Sequence, residues 1–149
     1  MKRNELFLKI KKDMEKYKSK INHDKRFASK KDNSINYIMS RFNLENFNEI
    51  MNSSFEGLDD DVDEEKINDF KNRINYYFNL YAPGDLEFRE FIKAISIYLT
   101  FIAKKPLHPM GILFSNGTTV YKKGNAYYCT GKSVFIKDKL SLCKYCVCR

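Results

Sequence analysis

Lys104-Lys105-Pro106-Leu107-His108-Pro109-Met110-Gly111 separates two kinds of pattern in this chain. Before it, apolar residues recur every three or four positions; after it, they alternate every second position, as strands do. Pro106 ends a helix because it lacks an N–H and clashes with the preceding turn, and Pro109 with Gly111 redirects the chain. The expectation is an α+β fold in one domain over residues 1–149, with a helical body over 3–105 and a β module over 106–149.

Downstream of the divide, Ile112-Leu113-Phe114 precedes Asn116-Gly117, a strong short hairpin signal, and then Thr118-Thr119-Val120-Tyr121. Gly124-Asn125 turns again into Ala126-Tyr127-Tyr128-Cys129. This predicts a three-stranded antiparallel meander followed by a Cys-rich knuckle. With two residues in each turn, Leu113 pairs near Val120 and Val120 near Cys129. His108 then hangs five residues lower, roughly 16 Å at strand rise before any bend at Pro109.

All four cysteines fall in this module, as Cys129 and the cluster Cys143-x2-Cys146-x-Cys148. A tight Cys-x2-Cys turn aims two thiolates at one ion, and Cys148 can face the same side from an extended chain. Four ligands close a structural site, and the strand register selects Cys129, Cys143, Cys146 and Cys148, with His108 in reserve unless Pro109-Met110-Gly111 folds it back. Otherwise His108 caps the central helix. His23, in a basic loop, carries no such signal. Zn2+ is the expected metal and an iron–sulfur cluster the alternative, since both take clustered thiolates. In a reducing cytosol the thiols stay free, which favours ligation over disulfides.

Upstream, about five helices are expected. Leu6, Ile10, Met14, Tyr17 and Ile21 mark the first; Ile35, Ile38, Met39 and Phe42 a second; Phe47, Ile50 and Met51 a third. Ile67, Phe70, Ile74, Tyr77 and Tyr81 mark the fourth, and Phe88, Phe91, Ile92, Ile95, Tyr98, Leu99 and Ile102 the central helix. Asp61 or Asp63 caps the fourth helix and Asp85 the central one. Asp59, Asp61 and Asp63 also imitate a calcium loop. That reading fails where Glu64 replaces the required glycine and Phe70 the bidentate glutamate.

The formal charge of +8 is segregated. Residues 1–31 carry twelve Lys/Arg against four acids, residues 32–65 one against ten, and residues 104–149 nine against one. The plain account is that the acidic segment lies against a basic one. The sharper account is a surface for RNA or single-stranded DNA, with Lys122, Lys123 and Lys144 contacting phosphates and Tyr121 and Tyr127 stacking on bases. Charges at Lys9, Lys11, Lys12 and Asp13 interrupt any leader-like apolar stretch. The uncharged run Ala94–Ala103 is about half of the roughly 20 residues a membrane span needs. A cytoplasmic protein with no membrane partner is expected. No nucleophile–base pair and no open coordination position can be assigned, which points away from an enzyme.

Tyr98-Leu99-Thr100-Phe101-Ile102-Ala103-Lys104-Lys105-Pro106-Leu107-His108-Pro109, Tyr127-Tyr128-Cys129 and Leu142-Cys143-Lys144-Tyr145-Cys146 together resemble an uncharacterised family of methanogenic archaea, domain of unknown function 2115. The chain departs from that pattern at Thr130-Gly131 and at Met110, where prolines are expected. The resemblance implies an archaeal cytosolic protein and no particular activity. The two functions in view are a zinc-held nucleic-acid-binding module and, as the alternative, an iron–sulfur or thiol-based redox or regulatory protein of methanogen metabolism.

Overall fold

The computed structural model describes residues 1–21, 34–54 and 56–149; His23 lies outside them. It is helix-rich, with a small antiparallel sheet near the C-terminus. Four long helices form the body: α1 (Arg3–Met14), α2 (Ile35–Asn52), α3 (Glu64–Tyr81) and α4 (Leu86–Ile97). A 3-10 turn (Glu15–Tyr17) extends α1, and a π turn (Tyr98–Ala103) extends α4. The caps follow the expected chemistry. Ser34 Oγ accepts from Tyr37 N–H at 3.2 Å, Asp63 accepts from the N–H groups of Glu65 and Lys66, and Asp85 accepts from Phe88 N–H.

Two expectations for the body are corrected. The second and third helical stripes belong to one continuous helix, α2, because no glycine or proline interrupts residues 43–46. Buried Asn46 donates to the Phe42 carbonyl at 2.9 Å, which satisfies its amide without breaking the helix. On α3 the stripe runs Ile67, Phe70, Ile74 and Phe78, while Tyr77 and Tyr81 are exposed. Both sets have helical spacing; packing chooses Phe78, whose ring meets Phe88 of α4 at 6.2 Å.

The core is aromatic at its centre. Phe91 has no exposed surface, and its ring stands 5.1 Å from Tyr17, 6.1 Å from Phe47 and 6.3 Å from Phe88, joining α1, α2 and α4. The acidic segment before α3 folds against the basic N-terminus. Arg3 pairs with Asp60 at 2.9 Å, Lys2 with Asp61 at 3.3 Å, and Arg3 N–H donates to the Asp60 carbonyl at 2.8 Å. These exposed ion pairs contribute little stability; the backbone bonds fix the position. Lys104, in the left-handed conformation at φ 56°, ends the π turn, so the helix cap is made by backbone and not by His108. Among the described residues no helix is long and apolar enough to cross a membrane.

The β module has two strands, β1 (Val120–Lys123) and β2 (Ala126–Cys129), joined by Gly124-Asn125, with Val120 opposite Cys129 as the register predicts. The expected third strand at 112–114 is absent. Phe114 N–H donates to the Thr118 carbonyl and Gly117 N–H to the Phe114 carbonyl, each at 2.9 Å, so the loop has three residues, not two. Gly117 alone takes positive φ, 85°, and the tight Asn-Gly turn is replaced by a type of hairpin loop that ends in a left-handed glycine. The C-terminus instead occupies the far edge of β2. Arg149 N–H donates to the Tyr127 carbonyl at 2.9 Å, and Cys129 N–H to the Arg149 carbonyl at 3.2 Å. A four-residue helix, α5 (Lys132–Phe135), follows β2.

Candidate functional site

The pairing of Arg149 with Tyr127 and Cys129 carries Cys148 to the side of β2 that bears Cys129. Leu142 opens a tight turn whose carbonyl accepts from Tyr145 N–H at 3.0 Å and Cys146 N–H at 3.2 Å, while Ser141 Oγ accepts from Cys143 N–H at 3.0 Å. The result is that Cys129, Cys143, Cys146 and Cys148 all line one cavity of about 520 Å³ between the helical body and the C-terminal module. Phe42, Phe78, Ile92 and Leu99 supply apolar wall from the body.

Cys148 is 2% exposed, and burial first, then the neighbouring Cys146 with its hydrogen bond, push its thiol up to about 12. Burial likewise raises Cys143, and the Ser141 hydrogen bond and nearby Lys132 oppose that only in part. Both are therefore neutral thiols near pH 7. Lys132 Nζ donates to the Cys146 carbonyl at 2.7 Å and also to the Cys148 carbonyl, fastening α5 to the cysteine segment. Among the described residues, no three of His, Cys, Asp and Glu stand close enough together, as they lie, to hold a metal ion.

His108 lines the same cavity, which corrects the register argument that left it beyond the sheet. Gly111 takes φ 79° and donates its N–H to the Val120 carbonyl at 2.9 Å, so the chain bends at the level of Val120 and His108 returns toward the cysteines. Its ring packs edge-on to Phe114 at 5.3 Å. The residue is exposed, yet surrounding protein desolvates the ring and draws its pKa below the usual histidine value.

Residues that sequence reasoning missed hold the cysteine turn to the body. Arg73 of α3 donates to the Ser141 carbonyl at 2.8 Å, pairs with Asp69 at 3.0 Å and lies 5.5 Å from the centre of the Tyr145 ring. Tyr145 Oη donates to Asp69, and its ring meets Phe70 at 5.9 Å and Phe101 at 6.3 Å. An Asp and Arg four apart on one helix face read as an ordinary intrahelical pair, so their reach toward residues 141–145 had no local signal.

The proposed nucleic-acid contacts divide between the faces of the hairpin. Tyr121, 46% exposed, stacks on Tyr128 at 5.4 Å and 17°, on the face that Lys123 shares by strand alternation. Lys122 lies 5.4 Å from the Tyr127 ring on the other face, which also carries Val120 and Cys129. Lys144 is exposed on the cysteine turn, 5.4 Å from the Tyr145 ring.

Comparison with known proteins places the chain among sequences of one kind. A family described as an uncharacterized protein conserved in archaea, DUF2115, matches residues 2–149. A UPF0305 protein of Methanocaldococcus jannaschii is 36% identical over 100% of this chain and 96% of its own length. A UPF0305 protein of Methanothermobacter thermautotrophicus is 42% identical over 40% of this chain and 37% of its own length. One from Methanococcus maripaludis strain C6 is 32% identical over 68% of this chain and 62% of its own length. No solved structure matches.

Proposed function

The chain belongs to this uncharacterised archaeal family, and from that premise we propose that its C-terminal module is a binding module held by a structural metal, Zn2+, on Cys129, Cys143, Cys146 and Cys148. The observation that carries the reading is the convergence of all four thiols on one cavity from β2, the 141–146 turn and the C-terminal edge. Soft sulfur donors suit zinc, and a site of four protein ligands is closed to substrate. Seating an ion requires the thiols to draw together, and the 520 Å³ cavity beside them leaves the turn room to move. Four thiolates on Zn2+ leave two negative charges, and the Lys132 ammonium stands beside Cys146 and Cys148 to offset them.

Metal analysis after anaerobic purification from metal-replete cells should give one zinc per chain. Chelation should then abolish protease protection beyond residue 110 while the helical circular-dichroism signal persists, because the helices have their own core. A chain with no bound metal, equally protease-resistant with and without chelator, overturns the proposal. A brown, iron-containing protein transfers it to the iron–sulfur alternative.

A second reading, binding of single-stranded nucleic acid, has its own support in the stacked and exposed Tyr121–Tyr128 pair with Lys123 on the same face. Stacked rings and nearby ammonium groups are what sequence-tolerant single-strand binding uses. Titration of a fluorescent oligonucleotide should show weak binding with a log–log salt slope of about −0.7 per phosphate contact. Binding should weaken in the Lys122→Glu, Lys123→Glu double variant. If neither salt nor the double variant changes the titration, the lysines serve only to solvate the surface.

A further inference from the structure

A second cavity, of about 350 Å³, opens on the other side of the body where α1, α3 and α4 meet. It holds four lysines, Lys9, Lys16, Lys71 and Lys93, with two acids, Asp13 and Glu90. Glu90 is already occupied. It accepts from Arg89 and from Lys93, each at 2.9 Å, and the Lys93 side chain is only 11% exposed. Lys9 and Lys71 have no carboxylate within ion-pair distance among the described residues. Lys71 is half-buried, and burial together with the fields of Lys9 and Lys93 draws its pKa down. Three ammonium groups thus bear on one another in a concave site whose floor is apolar, formed by Leu6, Ile10 and Ile97.

Burying like charges together is unfavourable unless an opposite charge joins them. Solvation alone does not explain the arrangement, since lysines that only keep a surface soluble point away from one another. The geometry points to a binding site for a small phosphate-class dianion, a phosphomonoester or pyrophosphate, held by Lys9, Lys71 and Lys93. Lysine binds phosphate as a point charge with three rotatable donors, so convergent ammonium groups suffice without a bidentate fork. The apolar floor accepts the carbon portion of a monoester. No cysteine takes part, and the site does not depend on the metal.

The test uses the full chain at fixed ionic strength, with pyrophosphate, inorganic phosphate, glycerol phosphate and sulfate compared against chloride by calorimetric titration and thermal melting. Pyrophosphate or glycerol phosphate should bind and raise the melting temperature, and Lys71→Met should weaken that binding about tenfold or more, the loss of one charge-assisted contact. Without ligand, Lys71→Met should melt at or above the wild-type temperature, because it removes repulsion; a purely structural lysine would give the opposite sign. Lys122→Glu, far along the chain on the hairpin, should leave the affinity unchanged. The proposal is overturned if no phosphate compound binds, if sulfate binds as well as the phosphates, or if Lys71→Met retains wild-type affinity.

Discussion

Cys143→Ser and Cys146→Ser should each strip the metal from the C-terminal module, and Cys148→Ser should do the same where His108→Ala does not. The first two residues flank a turn only four residues long, closed by the Leu142 carbonyl, so losing either sulfur removes half of the donors that turn can present. Cys148 is buried and hydrogen-bonded to Cys146, whereas His108 is exposed and rests on Phe114. Both reach the cavity, but only Cys148 is already among the sulfurs. Structural zinc contributes an apparent 10–16 kcal/mol in small zinc-finger peptides, more than a two-stranded hairpin supplies by itself. Loss of the ion should therefore release residues beyond 110 as a unit. Cobalt substitution is the direct readout, since the thiolate-to-cobalt absorption falls as sulfur ligands are lost. Metal retained in Cys148→Ser and lost in His108→Ala would exchange their roles.

Phe91→Ala should cost about 3–5 kcal/mol, the range for truncating a buried phenylalanine. That approaches the whole of a typical domain stability of about 5–15 kcal/mol. Phe91 has no exposed surface and meets rings from three other positions, Tyr17, Phe47 and Phe88. Its removal leaves a cavity that α1, α2 and α4 border together, and no single neighbour can fill it without moving a helix. Urea unfolding should show the loss as a lower midpoint at unchanged slope. Phe91→Leu, which keeps most of the volume, should recover the greater part. A loss below about 1.5 kcal/mol for alanine would mean that the three helices collapse onto the gap and do not depend on the ring.

What was legible in the chain was local. The α1 stripe, the caps at Asp63 and Asp85, the end of the central helix at Lys104 and the Val120–Cys129 pairing all depend on residues within a turn or a hairpin of one another. What was not legible depended on packing. Tyr77 and Phe78 fit helical spacing equally well, and only the position of Phe88 decides between them. Asn116-Gly117 satisfies two loop geometries, and the three-residue loop removes a strand that composition favours. At the candidate site, cysteine spacing brought four sulfurs to notice, but the return of His108 depends on the bend at Gly111. The hold of Asp69 and Arg73 on the cysteine turn spans some seventy residues of sequence and leaves no periodic trace.

The π turn at Tyr98–Ala103 has a consequence for comparing relatives. An α-helix advances 3.6 residues per turn, and a π turn accommodates about one more residue in the same rise. Arg3 reaches across to the Ile102 carbonyl at 3.2 Å, so the widened turn is tied down and does not simply spread. Removing one codon anywhere in this stretch would let the helix close to ordinary geometry, and everything after it would swing by about 100° around the axis. His108 would then face away from the sulfurs with its own identity unchanged. Among relatives, the length of this stretch is therefore as telling as its letters: a one-residue gap there would separate chains that aim the histidine inward from chains that keep the histidine but aim it elsewhere.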